Sequence, residues 1–178
     1  MRYAALLRGI NVGGNKKVSM AELRDFTATL GLEDPRTLLQ SGNLIFESTA
    51  TAKKLESMLE VETRKHVGVD TKYFVRTATE WWSAIDANPF PNQAKRDPSH
   101  LVVMFLRDTP TPSAVKALQA AIVGREAVRV VGRQAYLVYP DGIGESKLTV
   151  PLIEKVLGTS GTGRNWNTVG KIGALLAE

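Results

Sequence analysis

The sequence predicts an α+β protein of two similar halves, each running β-α-β-β-α-β. Three observations carry this. Apolar runs of strand length open both halves, at Tyr3–Leu7 and Leu101–Leu106. Segments with apolar residues at helical spacing, several with capping signals, separate the short runs. A glycine-containing turn between two short runs recurs at the same place in each half.

In chain order, the run Tyr3-Ala4-Ala5-Leu6-Leu7 suits a buried strand. A Gly/Asn-rich loop follows from Gly9 to Lys17. Ser19 and Glu22 have capping-box spacing ahead of Met20, Leu23, Phe26 and Leu30, and Gly31 ends that helix. Thr37–Gln40 and Asn43–Phe46, separated by Ser41-Gly42, read as a hairpin. Leu55, Met58 and Leu59 belong to a second helix reaching His66, and Lys72–Arg76 closes the half as a strand. Thr77 and Glu80 repeat the capping-box spacing before Trp81, Trp82 and Ile85, a short connecting helix. Asn88–Pro98 is rich in turn formers and reads as the linker.

The order then returns. Leu101–Leu106 is a strand, and Thr111-Pro112 starts a helix through Val115, Leu118 and Ile122. Ala127–Val131 and Gln134–Tyr139 flank Gly132-Arg133 as a second hairpin. Leu148–Leu157 is a helix ended by Gly158, Gly161–Asn165 a last short strand, and Val169–Leu176 a C-terminal helix starting near Asn167, with Asn167 or Thr168 as its cap. The expected organisation is therefore two ferredoxin-like halves in tandem, residues 1–90 with the connecting helix and residues 91–178 with the C-terminal helix.

Composition narrows the classes. The 178 residues are 43% hydrophobic and 23% charged, enough apolar material for a core and no sign of disorder. No apolar run approaches the roughly 18 residues that span a bilayer, and Met1–Ile10, interrupted by Arg8, reads as a strand and not a signal peptide. The absence of cysteine excludes disulfides, thiolate metal sites and cysteine nucleophiles, and a cytoplasmic location is expected. With only two histidines and no acidic calcium loop, no metal site is expected, and no cofactor or catalytic set can be read. The net charge of +5 divides as +1 over residues 1–90 and +4 over residues 91–178, a mild bias toward an anionic partner.

Four segments concentrate polar chemistry. Gly9–Lys17, between a strand and a helix, has the context of a phosphate loop, with Asn11, Gly13, Gly14 and Lys16 as candidate anion contacts. It is not a nucleotide-binding P-loop, since Asn15 and Lys17 stand where that pattern needs Lys and Ser or Thr. Ser41 and Asn43 flank the first hairpin turn, Ser146-Lys147 precedes a helix, and Arg164, Asn165 and Asn167 crowd around Trp166. Arg8, Arg76 and Arg164 carry forked guanidinium groups suited to oxyanions.

These same segments carry a resemblance. Leu6–Gly14, Gln40–Asn43 and Arg164–Thr168, together with Asn88-Pro89-Phe90, Pro140–Gly144 and Ser146-Lys147-Leu148, are similar in content and order to the bacterial family catalogued as domain of unknown function 1697. The resemblance spans nearly the whole chain. It implies a tandem ferredoxin-like α+β fold and supplies no established activity or catalytic residue.

The function expected from the residues is binding of a small anionic, phosphate-bearing ligand in a basic groove formed by loops of both halves. Arg8, Asn11, Gly13, Gly14, Lys16, Ser41, Asn43, Arg76, Ser146, Lys147, Arg164, Asn165 and Asn167 are the candidate contacts. The alternatives are a nucleic-acid-binding module, disfavoured by so small a net charge and so few stacking aromatics, and a protein-interaction module without a small ligand. No membrane partner is expected, and the oligomeric state is not legible.

Overall fold

The apolar run that opens the chain becomes β1 (Arg2–Leu7), an inner strand of a four-stranded antiparallel sheet. The structure, a computed structural model, describes residues 1–11 and 17–178. After β1 come α1 (Met20–Thr29), β2 (Glu33–Leu38), β3 (Asn43–Glu47), α2 (Ala52–Val67) and β4 (Tyr73–Thr77), with strand order β2-β3-β1-β4. Two helices, α3 (Ala78–Asp86) and α4 (Pro91–Arg96), lead to β5 (Leu101–Leu106), α5 (Pro112–Ala120), β6 (Ala127–Val131), β7 (Gln134–Val138), α6 (Val150–Leu157) and β8 (Gly161–Asn165). The second sheet has the order β6-β7-β5-β8, and α7 (Trp166–Ala177) ends the chain. Among the described residues this is a mixed α+β protein with two four-stranded antiparallel sheets and seven α-helices. Two units are distinguishable, Met1–Ser83 with Lys171–Glu178, and Ala84–Gly170.

The repeat extends to register. Ala4 on β1 lies opposite Ile45 and Arg76, and Leu6 opposite Asn43 and Phe74. On β5, Val103 lies opposite Tyr136 and Arg164, and Phe105 opposite Gln134 and Thr162. Each sheet can thus be laid on the other residue for residue, Ala4 on Val103 and Arg76 on Arg164, although the letters rarely agree. The loops match as well. Leu7 N donates to Gly42 O and Leu106 N to Arg133 O, both at 2.9 Å; Arg8 N donates to Lys72 O at 3.0 Å and Arg107 N to Ser160 O at 2.9 Å.

Alternation of side chains divides each sheet into two faces. In the first unit Tyr3, Ala5, Leu7, Leu44, Phe46, Tyr73 and Val75 join Leu23, Leu55 and Leu59 of the helices in one core cluster. Residues of the opposite face, Ala4, Leu6, Ile45, Phe74 and Arg76, are also buried. The second unit has the same division, with Met104, Leu106, Ala135 and Leu137 packed with Leu118, Ile153 and Leu157, and Val103, Phe105, Tyr136 and Arg164 on the other face. Burial on both sides is why the inner strands read as continuous apolar runs with no alternation.

Local chemistry sets the element ends. Ser19 and Glu22 form the predicted capping box, and Thr77 and Glu80 form another, with Thr77 N donating to Glu80 Oε2 at 2.8 Å. Three boundaries differ from expectation. The first hairpin turn spans four residues, Leu39–Gly42, because Leu38 pairs with Asn43; β2 starts earlier than expected, at Glu33, with a register shift at Asp34-Pro35 that an edge strand tolerates. Inside the linker, Pro91 starts the short helix α4, where its missing amide costs nothing. The last helix begins at Trp166, since Asn165 Oδ1 accepts from Thr168 N at 3.0 Å; Asn165 does the capping expected of Asn167 or Thr168. The second hairpin has the expected two-residue turn, with Gly132 at φ +59°.

Helix carboxylates meet outward backbone amides of the outer strands β4 and β8. Glu56 and Glu60 of α2 accept from Val75 N and Tyr73 N, each at 3.0 Å, and Glu154 of α6 accepts from Gly161 N at 3.1 Å. Tyr73 and Gly161 occupy the same position in the two registers.

Gly42 has φ +78°, and a Cβ there would stand 2.6 Å from Ile10 Cδ1 and 2.9 Å from Leu7 Cβ. Gly42→Ala is expected to destabilise the protein by about 1–3 kcal/mol, lowering the thermal midpoint by roughly 2–4 °C per kcal/mol. Gly132→Ala, whose nearest contact would be the flexible Gln134 side chain at 3.6 Å, should cost less. Equal midpoints for the two variants would contradict the packing argument.

Candidate functional site

Where β1 ends and β4 begins, the first unit opens a cleft of about 310 Å³ lined by Arg8, Gly9, Asp70, Thr71 and Lys72. Backbone pairing builds it. Arg8 N donates to Lys72 O, and Thr71 Oγ1 donates to Arg8 O at 2.8 Å, so the chain leaving one strand is tied to the chain entering the other. Gly9 turns the backbone at φ +62°, and no atom stands within 4 Å of where its Cβ would be, leaving that wall bare. Asp70 pairs with Arg64 Nη2 at 2.9 Å. Lys72 is exposed and Arg8 half-buried, while Thr71 is buried. The cleft combines two cations with a buried hydroxyl, a donor set for an anion.

Two of the predicted contacts, Asn11 and Asn43, are hydrogen-bonded to backbone groups. Asn11, at φ +56°, donates through Nδ2 to Val18 O at 3.0 Å and Gln40 O at 2.7 Å, and its Oδ1 accepts from Val18 N at 2.9 Å. It thereby ties Val18 and the β2–β3 turn to residue 11. Asn43 is fully buried and donates to Leu38 O at 2.7 Å and to Ser41 Oγ at 3.0 Å, closing that turn from inside. Gly13, Gly14 and Lys16 lie outside the described residues.

Arg76 is fully buried on β4, with Nη1 donating to Val75 O at 3.0 Å. Arg164 holds the equivalent place on β8, donating to Thr162 Oγ1 at 2.9 Å and Gly163 O at 2.8 Å, and burial pushes its pKa down to about 10. Both guanidinium groups are thus engaged within their sheets. Ser146 donates to Glu126 Oε1 at 2.7 Å and accepts from Leu148 N at 3.0 Å, bracing the loop before α6. Lys147 and Asn167 are exposed.

Sequence reading passed over Gly9, Asp70, Thr71 and Lys72 as site residues. The signal was present: aligning the predicted first and last strands of the half as antiparallel neighbours sets Arg8-Gly9 beside Thr71-Lys72. It also missed a polar cluster in the second unit. Asp97 accepts from Ser99 Oγ at 2.9 Å and from His100 Nδ1 at 2.6 Å, while Arg125 pairs with Asp141. Among the described residues no group of three or more His, Asp or Glu side chains could hold a metal ion, and no helix is long and apolar enough to cross a membrane.

Fold and cleft together describe an α+β protein of two register-matched units with a basic pocket at a strand end of the first. The chain belongs to the family described as protein of unknown function (DUF1697), whose model matches residues 1–136. It is also similar to a solved structure, that of the conserved bacterial protein SP0830 from Streptococcus pneumoniae, at 27% identity and a TM-score of 0.77 over 98% of each chain. No curated protein matches this sequence.

Two predictions follow from these contacts. In Asn11→Asp a carboxylate replaces the amide that donates to two carbonyls, and a cost of about 2–3 kcal/mol is expected in chemical denaturation; Asn11→Asp as stable as the parent would remove the clamp. The second concerns acid. Hydrogen bonds hold three carboxyls below their ordinary values of 3.8 for aspartate and 4.5 for glutamate: Ser99 and then His100 lower Asp97, Ser146 lowers Glu126, and Arg125 lowers Asp141. Because the folded values are depressed, their stabilising effect is complete above the unfolded values and is lost as pH falls through the folded ones. Amide protection factors around 97–100 and 141–148, corrected for the intrinsic pH dependence of exchange, should therefore fall below pH about 4, and protection there that does not change with acid would contradict it.

Proposed function

We propose that the protein binds a small anionic ligand in the cleft of the first unit, with Arg8 and Lys72 as the charged contacts and Thr71 as the hydroxyl between them. The observation that carries this reading is the convergence of a half-buried guanidinium, an exposed ammonium and a bare glycine wall on one open cleft. Asn11, Ser41, Gly42 and Asn43 serve it indirectly, through the bonds and packing that join residues 10, 11 and 18 to the β2–β3 turn. Gly13, Gly14 and Lys16 belong to that loop in sequence and complete the proposed anion set, and the phosphate-loop context makes phosphate-bearing metabolites the first compounds to try. The two halves, 1–90 and 91–178, are read as ferredoxin-like repeats, a reading supported by the shared element order, strand order and register.

A thermal-shift screen of the whole chain against nucleotides, sugar phosphates, carboxylic acids and short RNA, each at low and moderate salt, tests the reading. A ligand at 100 times its Kd adds about 2.7 kcal/mol, a rise of several degrees for a chain of this size. The shift should survive moderate salt, disappear in Arg8→Ala and Lys72→Ala, and persist in Lys116→Ala, an exposed lysine on α5. A shift from RNA alone, lost as salt rises, would favour nucleic-acid binding instead.

A further inference from the structure

Of the four outer strands, β6 is the one whose open side is neither kinked nor covered by charge. On β4, carboxylates accept from the outward amides of Tyr73, Val75 and Thr77. On β8, Glu154 accepts from Gly161 N, and Arg164 donates to Gly163 O. The register of β2 breaks at Asp34-Pro35, where Arg36 pairs with Asp34 and Glu178. By contrast, β6 runs in unbroken register along β7, from Ala127 opposite Val138 to Val131 opposite Gln134. Its outward residues follow from the pairing of β7 with β5. Leu106 N donates to Arg133 O, so in the alternation of an antiparallel ladder Ala135 and Leu137 spend their backbone groups on β5. The residues facing them across the hairpin, Val130 and Val128, therefore turn theirs outward. Gln119 Nε2 donates to Val128 O at 3.1 Å, a neutral contact that a backbone amide can replace. Val128 N and both backbone groups of Val130 make no outward hydrogen bond to another described residue.

The side chains of β6 set the character of what can join it. Val128 and Val130 pack with the helix-side core cluster, whereas Arg129 and Val131 alternate to the other face and are exposed. Arg129 makes no ion pair with a described residue; its guanidinium carbon stands 5.9 Å from the centroid of the Phe90 ring. Because Arg129 lies between the two outward residues, the residue opposite it on an added strand forms the closely spaced, non-hydrogen-bonded kind of pair. Opposite charges are favoured in such a pair and like charges disfavoured. A second copy of the chain fails this requirement. The antiparallel register that joins Val128 of each copy to Val130 of the other sets Arg129 against Arg129.

We infer that β6 is a docking edge for an extended segment of another protein, with an acidic residue opposite Arg129 and apolar, β-branched residues opposite Val128 and Val130. Main-chain hydrogen bonds supply the attachment and Arg129 the selectivity. The edge uses none of the cleft residues, so it stands apart from the anion-binding reading.

The test is an amide-resolved NMR titration of the full chain with two capped peptides, Ser-Thr-Val-Val-Glu-Val-Thr-Ser and its counterpart with lysine in place of glutamate. The glutamate peptide should saturate, with the largest shifts and slowed exchange at the Val128 and Val130 amides. It should bind about fivefold or more tightly than the lysine peptide, and Arg129→Glu should reverse that preference. Val130→Pro removes an outward donor at an edge position where proline is tolerated; it should keep the fold by circular dichroism and lose the binding. Should that variant not fold, the reversal in Arg129→Glu decides the matter alone. No saturation by either peptide up to about 5 mM, or saturation with its shifts on another strand, would overturn the docking edge. Equal affinity for the two peptides, or an unreversed preference in Arg129→Glu, would overturn the acidic partner. Self-association that protects Val130 N would assign the edge to a second copy and overturn it as well.

Discussion

Where the central strand of each sheet ends, its last amide is taken by a carbonyl of the neighbouring hairpin, Leu7 by Gly42 and Leu106 by Arg133, both at 2.9 Å. The next residue, Arg8 or Arg107, then turns its amide to the other flanking strand. These two bonds set the register on both sides of the inner strand, and a one-residue slip would exchange the faces of every side chain on it. Once register is set, Tyr3, Ala5 and Leu7 must meet α1 and α2, Arg76 must lie on the opposite face, and the cleft must open beside Arg8. The close approach of Ile10 to Gly42 is the steric side of the same constraint.

Much of this was legible in the residues. Capping pairs such as Ser19/Glu22 and Thr77/Glu80 are local chemistry, and local chemistry survives folding intact. The hairpin at Gly132-Arg133 was legible for the same reason. Less readable was β2, because Glu33-Asp34-Pro35-Arg36 lacks both alternation and an apolar run; it is a strand only because β3 presents it with an edge. Arg76 and Arg164 read as oxyanion clamps, and their burial, set by strand register, was not legible. Local pattern carries no information on which face of a sheet is covered. The cleft shares that difficulty, since Gly9 and Thr71 become neighbours only through strand pairing across some 60 residues.

The polar segments that the family resemblance rests on divide by role. Asn11, Gly42 and Asn43 are committed to backbone groups, so their value is geometric. Ser146 braces a loop through Glu126, and Asn165 starts the last helix. Such residues look functional in sequence because buried polar groups must be matched with partners, and the matching is as demanding as recognition of a ligand. Arg8, Thr71 and Lys72, which line the cleft, are the residues on which the proposed binding rests.

The carboxylates of Glu56, Glu60 and Glu154 have a consequence beyond their own hydrogen bonds. The outermost strand of a sheet is a template on which a foreign strand can grow, and proteins that leave it bare risk aggregation. Here the outward amides of β4, those of Tyr73, Val75 and Thr77, are already occupied by carboxylates, and on β8 that of Gly161 is, so a newcomer at these places would face negative charge. On the opposite border of the first sheet, the kink at Asp34-Pro35 spoils the flat ladder that stacking requires. The first sheet is thereby guarded on both borders against growth beyond four strands.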